Sequence, residues 1–347
     1  MNFRVFDSHD EDWALALENI PLENRDINYL PNWYRTWIDH EKAEARCIYA
    51  IVDGYHLLYP FFLKRINNYD LDREYFDIQS AYGYGGVITS TSDIPEPTAN
   101  KFNRLVDEYL TENNVIAEFI RLHPLLNHFK RDADYSLVRR NVYVETNDLY
   151  KIPDKQARQN IAKSKLLNVI VVYDRDLIHM NEFMQLYSTT AERLNMHPYY
   201  RFGLKYFESV KNELHEYACL IHVVWNDVII SSGLYFNYNG KANLHLAGSL
   251  FEYQHLRPND MLYDATINYS IKAGAKILNL GGGTTSSPVD SLYRFKSKYS
   301  NLHKDVLIGK KIINQKVYAK IIGTWEREHP QLQERYNNYF LKYHYQS

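Results

Sequence analysis

Cysteine is scarce in this chain of 347 residues, since Cys47 and Cys219 are the only two. Each lies in an apolar run, which argues against a disulfide framework or a cysteine zinc site and indicates a reducing, cytoplasmic environment. No window approaches the ~18 apolar residues of a membrane helix, and the first residues carry no basic-then-apolar signal pattern. We therefore expect neither secretion nor a membrane span, and we predict no metal site.

An excess of charge of one sign is also missing, because 40 basic and 42 acidic residues leave a net charge of -2. No global basic field indicates nucleic acid as a partner, so we expect no DNA binding. The local balance is uneven, since residues 294–320 hold eight Lys or Arg against the single Asp305. With 45% hydrophobic and 24% charged residues, the composition is that of a folded globular protein long enough for two domains.

Glycine is also sparse, with 14 residues, yet three of them are consecutive at 281–283. They follow a short apolar strand at 276–280 and precede Arg294, Lys296 and Lys298. Successive glycine N–H groups can converge on phosphate or carboxylate oxygens, and Lys296 can place a positive charge beside a developing oxyanion. This pattern predicts an anion pocket. The alternative is a tight turn with solvated lysines.

The order of predicted elements repeats along the chain. In the first half, helices at 10–20 and 32–42 precede a hairpin with Asp53-Gly54 at its turn, a helix at 97–112, and strands at 115–122 and 137–144. In the second half, helices at 155–166, 177–195 and 204–214 precede a meander at 216–247, a helix at 261–273, strands at 276–280 and 303–308, and closing helices at 312–329 and 332–343. The repeat predicts an α/β fold with mixed (α+β) sheets in two domains. These are 1–150, with the helices of 312–347 packing back onto it, and 151–311.

Two places in the first half combine polar or aromatic residues with an interrupted strand. Glycines break the strand after Ala81, so Tyr82 and Tyr84 are predicted to flank an opening, although a purely structural bulge has the same pattern. Arg121 and His123 lie at the C-terminal end of a buried strand, where α/β sheets place their ligands. For Arg121 a structural ion pair is the alternative.

The helix after Pro258 is a second candidate anion site. Pro258 precedes a predicted N-cap at Asn259 or Asp260, and the free N–H groups of the first turn, together with Arg257, form a generic phosphate site. An ordinary capped helix has the same sequence pattern.

Five motifs occur in a characteristic order. They are Phe76-Asp-x-x-Ser-x-Tyr-Gly-Tyr-Gly-Gly86, Phe119-Ile-Arg-Leu-His-Pro124, Arg158-x-Asn-Ile-x-Lys163, Leu256-Arg-Pro-Asn-Asp260, and Leu280-Gly-Gly-Gly followed by Asp290-Ser-Leu-Tyr-Arg-Phe-Lys296. In this order they resemble the FemAB-like proteins, which are tandem-GNAT acyltransferases related to the enzymes that add amino acids to peptidoglycan precursors. The resemblance covers roughly residues 76–300.

The resemblance implies two tandem GNAT-like domains, with the donor and the acceptor meeting in a cleft between them. It also implies that Lys296 is catalytic, because Phe295-Lys296 matches a Phe-Lys pair of the peptidoglycan branch. We expect substrate-binding residues at Tyr82, Tyr84, Arg121, His123 and Arg294. We expect donor-binding residues at Arg257, Asn259, Gly281, Gly282 and Gly283.

Transfer to an amine also requires a base that takes the ammonium proton. Asp77, beside the Tyr82 and Tyr84 opening, and His245, in a strand of the second half, are the candidates. The alternatives are a structural hydrogen-bonding role for Asp77 and simple packing for His245.

We interpret the chain as a FemAB-like N-acyltransferase of cell-envelope biogenesis. It would transfer an acyl or aminoacyl group to an amine of an envelope precursor, an amino sugar or a peptide with or without a nucleotide or lipid carrier. The co-substrate is acyl-CoA or aminoacyl-tRNA, so tRNA is a partner in one of the two cases, and no cofactor stays bound. The alternative is a non-catalytic tandem-GNAT protein that binds a nucleotide sugar or a protein partner.

Overall fold

The chain forms two compact units in the computed structural model, which describes residues 2–126 and 129–346. Unit 1 consists of residues 1–137 and 306–347, and unit 2 of residues 138–305. These bounds differ from the expected 1–150 and 151–311, because the chain changes unit within two strands and not in a linker. The division into functional domains stays a prediction.

Unit 1 is built from both ends of the chain. Its first part contains β1 (Asn2–Asp7), α1 (Glu11–Glu18), α2 (Pro31–Glu41), β2 (Glu44–Val52), β3 (Tyr55–Arg65), β4 (Phe76–Gln79), β5 (Ile88–Thr89), α3 (Glu96–Glu112) and β6 (Val115–Arg121). Strand β7 (Asp134–Glu145) then carries the chain into unit 2.

Unit 2 follows without interruption. It contains α4 (Lys155–Leu166), β8 (Ile170–Asp174), α5 (Met180–Arg193), α6 (Leu204–Glu213), β9 (Ala218–Trp225), β10 (Val228–Tyr238), β11 (Lys241–Ser249), α7 (Pro258–Lys272), β12 (Ile277–Gly282) and α8 (Ser291–Lys296). Strand β13 (Leu302–Ile312) returns the chain to unit 1, where α9 (Gln315–Glu328) and α10 (Gln333–Tyr336) follow.

The strands of unit 1 lie in the order β1-β2-β3-β4-β6-β13, with β5 beside β3. All of these pairs are antiparallel except β4 and β6, which are parallel and are joined through β5 and α3. The hairpin of β2 and β3 turns at Asp53-Gly54, as the sequence predicts, with Gly54 at a φ of 84°. Buried side chains of β2, β3, β6 and α3 form the core of this unit.

Unit 2 has the corresponding arrangement. Its strands lie in the order β7-β12-β11-β10-β9-β8, and the single parallel pair is β11 with β12, joined by α7. Helices α4 and α7 contribute Ala157, Ile161, Leu262 and Ala265 to the core against the strands. Each unit therefore combines a mixed set of strands with flanking helices, and the predicted fold class of mixed α/β structure is confirmed.

The end of the chain differs from the prediction. A helix was expected at 332–343, but the only α-helix there is α10, with short 3-10 turns at 330–332 and 342–344. The Nε1 of Trp325 donates to the carbonyl of Tyr345 at 2.6 Å, and the hydroxyl of Tyr318 donates to the carbonyl of Phe340 at 2.7 Å. These hydrogen bonds connect α9 to residues 340–345, and Asn337-Asn338 has weak helix propensity.

The segment after β13 packs on β6. Ile321 and Trp325 of α9, with Tyr336 and Tyr343, are buried against Ile116. This packing places the last part of the described chain in unit 1. Strand β1, which the sequence analysis did not predict, adds to the other end of the same unit by pairing with β2.

Candidate functional site

The three consecutive glycines lie where β12 ends, and each has a steric reason to be glycine. Gly281 has a φ of 77°, a conformation that favours glycine. A Cβ on Gly282 would lie 2.6 Å from the carbonyl oxygen of Arg140, and a Cβ on Gly283 would lie 2.6 Å from Cγ of Asp290. The backbone is therefore bare because neighbouring groups occupy the space of the side chains.

Asp290 organises the loop that follows these glycines. Its Oδ2 accepts hydrogen bonds from the backbone N–H groups of Thr284 and Thr285, both at 3.1 Å, and from both threonine hydroxyls. Its Oδ1 accepts from the N–H of Tyr293 at 2.9 Å and caps α8. These bonds, first among them the one from the Thr284 hydroxyl, hold the pKa of Asp290 well below its ordinary value.

Helix α8 brings the ammonium group of Lys296 back onto the glycine turn. The Nζ of Lys296 donates to the carbonyl of Gly282 at 2.8 Å, and the side chain is half-buried. Desolvation of the ammonium group, and next the positive charge of the nearby Arg139, lower the pKa of Lys296 from 10.5 to about 7, against the opposing effect of Asp290. Near pH 7 the charge of Lys296 is therefore sensitive to any anion that binds beside it.

Arg139 is the second cation of the site, and the sequence analysis missed it. Within residues 2–126 and 129–346, its buried Nε has no hydrogen-bond partner. Its Cδ lies within 3.2 Å of the position that a Cβ on Gly282 would take. The pair Arg139-Arg140 in a predicted strand was the available signal. Successive strand residues point to opposite faces, so one of the two arginines had to lie on each face of the strand. Arg140 forms an ion pair with Asp305 at 2.9 Å, and Arg139 lies at the glycine turn.

Together, Lys296 and Arg139 place two positive charges at a turn without side chains. Such an arrangement stabilises an oxyanion, a phosphate or a carboxylate. Arg294, which was expected at the same site, lines a different cleft of about 780 Å³ with Phe295, Lys298 and other residues of α8 and its surroundings. The structure brings Lys296 and the glycines together, but Arg294 is not among the groups that contact the Lys296 ammonium.

Two of the sequence motifs meet in a buried hydrogen-bond network. Asp260 accepts from Tyr299 Oη at 2.9 Å and from Asn160 Nδ2 at 3.1 Å. Burial raises the pKa of Asp260, although both hydrogen bonds oppose this effect. This network links α4, α7 and the residues that follow α8, which explains Asn160 and Asp260 as positioning residues of unit 2.

The predicted N-cap of α7 at Asn259 or Asp260 is wrong. The helix begins at Pro258, and Arg257, with a φ of 58°, takes the cap position without a side-chain hydrogen bond. Proline suits the first helical position because its missing N–H would have no partner there. The side chain of Asn259 accepts a hydrogen bond from Ser231 Oγ at 3.3 Å, and Arg257 is exposed. Their donor-binding role stays a prediction.

His245 is a poor proton acceptor in this structure. Burial lowers the pKa of His245 to about 3, and its Nε2 lies 2.8 Å from Tyr206 Oη. A general base works best with a pKa near the working pH. His245 lies in unit 2 with Lys296.

Asp77, the other base candidate, lies in unit 1 and is fully buried. Its Oδ2 accepts from Tyr343 Oη at 3.0 Å and lies 2.6 Å from His344 Nε2. These contacts give Asp77 a role in holding the segment after α9. Its role as a base stays a prediction.

The structure brings the substrate-binding candidates of unit 1 together along two adjoining segments, because Gly85 pairs with the backbone beside Arg121. Tyr82 stacks on Trp37 with ring centroids 4.6 Å apart, and Tyr84 meets His123 edge-on at 5.2 Å.

The two polar candidates beside them have protein partners. The buried Nε2 of His123 lies 3.4 Å from Oδ2 of Asp26. The guanidinium of Arg121 lies over the ring of Phe119, with its Nη1 3.4 Å from the carbonyl of Ser80. A substrate at Arg121 or His123 would therefore share each side chain with these groups.

Comparison with protein families supports the resemblance that the motifs predict. The model of the FemAB family matches residues 201–310, which include α7, the glycine turn and Lys296. The match covers less than half of the chain, and no curated protein matches it. No helix among the described residues has the length and apolar character needed to cross a membrane.

Several solved structures share the fold of this chain. One is FemX, with 16% identity and a TM-score of 0.67, over 92% of this chain and 100% of FemX. L-PGS from Bacillus licheniformis has 11% identity and a TM-score of 0.53, over 91% of this chain and 96% of L-PGS. A conserved protein of unknown function from Bacteroides thetaiotaomicron has 10% identity and a TM-score of 0.52, over 90% of this chain and 100% of that protein. The predicted resemblance to FemAB-like proteins is confirmed by the family match and by the shared fold of FemX.

The lowered pKa of Lys296 gives a direct prediction. The rate at which a trace amount of an amine-reactive acylating reagent modifies Lys296 can be measured by mass spectrometry between about pH 5 and pH 10. The plot of this rate against pH should have its midpoint at about 7. The Arg139→Met variant should raise this midpoint, because a neighbouring positive charge is removed. Exposed Lys211 serves as the reference for the reagent. A midpoint for Lys296 near 10.5 would contradict the assignment.

Proposed function

We propose that the protein transfers an acyl or aminoacyl group to an amine of a cell-envelope precursor. The observation that carries this proposal is the Lys296 ammonium, which contacts the Gly282 carbonyl beside Arg139. The FemAB match over residues 201–310 and the fold shared with FemX support the same class of reaction.

The proposed transfer reaction develops negative charge at defined atoms. The amine nitrogen attacks the carbonyl carbon of an ester or thioester, and negative charge develops on the carbonyl oxygen. When the intermediate collapses, the carbon–oxygen or carbon–sulfur bond breaks, and an alkoxide or thiolate leaves. Lys296 stabilises the developing oxyanion, a contact that is typically worth a few kcal/mol. Arg139 adds positive charge beside Gly282.

With a pKa of about 7, Lys296 is present in both its ammonium and its neutral form at neutral pH. A negative or strongly polar donor group at the site favours the ammonium form and raises the pKa of Lys296 above its value in the free protein. The neutral form of Lys296 is also a base: it accepts the proton of the attacking amine and returns it to the leaving alkoxide or thiolate. His245 is less suited to that step at neutral pH, since its pKa is about 3.

The proposed donor is acyl-CoA or aminoacyl-tRNA, and the acceptor is an amino sugar or a peptide. A thermal-shift screen tests these classes before an assay exists, because a ligand stabilises the folded protein by an amount that grows with its excess over Kd. Treatment of a transfer assay with ribonuclease then separates the two donors. Loss of activity identifies aminoacyl-tRNA, and retained activity with added acyl-CoA identifies the thioester.

Lys296→Met should lower kcat by about 100-fold or more without weakening acceptor binding. The reason is that the cation stabilises charge that is present only in the transition state. Methionine keeps much of the packing of the lysine stem. Transfer of a labelled acyl group and acceptor affinity are measured on the same preparation. The matched control is Lys211→Met, on the exposed face of α6, which should keep wild-type activity.

Lys296→Arg separates the two roles of the lysine. Arginine keeps the positive charge but does not act as a base, so retained activity indicates oxyanion stabilisation and lost activity indicates proton transfer. Full activity of a well-folded Lys296→Met protein would contradict the catalytic proposal. It would favour the non-catalytic protein that binds a nucleotide sugar or a protein partner.

Arg257→Ala tests the proposed donor site at the N-terminus of α7. If a donor phosphate binds there, the variant should raise the KM for the donor and leave kcat within a few-fold, because a remote contact contributes equally to ground state and transition state. The first-turn N–H groups of α7 remain, so the loss should be partial. An unchanged KM for the donor would place the phosphate elsewhere.

A further inference from the structure

Three metal-binding side chains meet at one edge of unit 2. Asp174 ends β8, His179 precedes α5, and His222 lies in β9. One ligand atom from each lies within 4.8 Å of the other two. The Oδ2 of Asp174 is 3.3 Å from Nδ1 of His179 and 3.8 Å from Nε2 of His222. The sequence analysis, which considered only the two cysteines in this respect, predicted no metal site.

The carboxylate of Asp174 is fixed by the turn that follows it. The backbone N–H of Ile178 donates to Oδ1 at 3.1 Å, and the N–H of His179 donates to Oδ2 at 2.8 Å. The side chain is buried, with 5% of its surface exposed. The position of Oδ2 is therefore set by the backbone, which is the preorganisation that a metal ligand needs.

His222 is the residue that points to a bound ion. Its side chain is 1% exposed, and its Nδ1 lies 2.9 Å from Ser232 Oγ. Its Nε2 has no hydrogen-bond partner among the described residues, although it faces Asp174. Buried polar atoms are rarely left without a partner. When Nδ1 donates to Ser232, Nε2 presents a lone pair toward the carboxylate, and a cation between them satisfies both groups.

We propose that Asp174, His179 and His222 bind one divalent transition-metal cation, and that Zn²⁺ fits these ligands best. Two imidazoles and one carboxylate form a common ligand set for Zn²⁺. Metal–ligand bonds of about 2.0–2.2 Å in a tetrahedral site place neighbouring ligand atoms about 3.4 Å apart. Two of the three spacings, 3.3 and 3.8 Å, are close to this value, and the third is at most 4.8 Å.

One of the three side chains is partly exposed to solvent. The side chain of His179 is 46% exposed, whereas Asp174 and His222 are buried. A cation can therefore reach the cluster past His179, and a water molecule can complete its coordination.

The proposed ion has a consequence that does not depend on the transferase proposal. It would join β8, β9 and the start of α5 through three side chains, in addition to the backbone pairing of β8 with β9. We expect it to stabilise this edge of unit 2, because an ion that binds only the folded state raises its stability.

The test uses the full chain after chelator treatment and dialysis. Zn²⁺ titrated in competition with a chromogenic chelator should bind at one equivalent per chain with a Kd below about 1 µM, and it should raise the Tm. Co²⁺ at the same site should give the visible absorption of a tetrahedral complex. His179→Ala should weaken Zn²⁺ binding by at least about 10-fold. His215→Ala, an exposed histidine of unit 2 outside the cluster, should leave the affinity unchanged.

A second variant covers the buried side of the cluster, where His222→Ala risks poor folding. Ser232→Ala removes only the group beside Nδ1 of His222, and it should weaken Zn²⁺ binding while the three ligands remain. Absence of Zn²⁺ binding by the wild-type chain would overturn the proposal. Equal Zn²⁺ affinity in wild type and His179→Ala would overturn it as well, because the ion would then lie elsewhere.

Discussion

The contact between the Lys296 ammonium and the Gly282 carbonyl is the interaction on which the candidate site depends. It exists because β12 ends in residues without side chains and because Asp290 shapes the following loop so that α8 lies beside that end. A side chain at Gly282 or Gly283 would occupy space that Arg140 and Asp290 now fill. Close packing at this turn therefore requires glycine, and the backbone lacks side chains as a consequence of that packing.

Local patterns in the sequence predicted this part of the site well. Consecutive glycines after an apolar strand, followed within one short segment by a lysine, predicted the strand, the turn and a lysine near it. The sequence analysis did not predict α8, the helix that carries Lys296. Arg139 could not be found in this way, because its position depends on the pairing of β7 with β12, two strands that are far apart in sequence. The same limit applies to Asn160, Asp260 and Tyr299, whose network is visible only once α4 and α7 pack together. Side chains that come together through tertiary contacts have no regular spacing in the sequence by which they could be recognised.

The fold shows the same division between local and distant causes. The β2–β3 hairpin was predicted because Asp53-Gly54 encodes its turn directly. The start of α7 was misplaced because Asn259 and Asp260 resemble caps, while Pro258 and the buried partners of Asp260 decided the outcome. The segment at 332–343 was predicted as a helix, but most of it has another backbone conformation, and side chains of α9 donate hydrogen bonds to the carbonyls of Phe340 and Tyr345. Tertiary contacts determine the backbone conformation where the intrinsic helix propensity of the sequence is weak.

The insertion of unit 2 within unit 1 affects the order in which the protein can fold during synthesis. All of unit 2 leaves the ribosome before β13, which pairs with β6 to complete the strands of unit 1. Until then one edge of β6 has open backbone groups, and the surface that α9 covers with Ile321 and Trp325 is exposed. More than 160 residues of later sequence, 138–305, are therefore synthesised before β6 can pair with the part of β13 that belongs to unit 1. During that interval the edge of β6 is open to pairing with another chain.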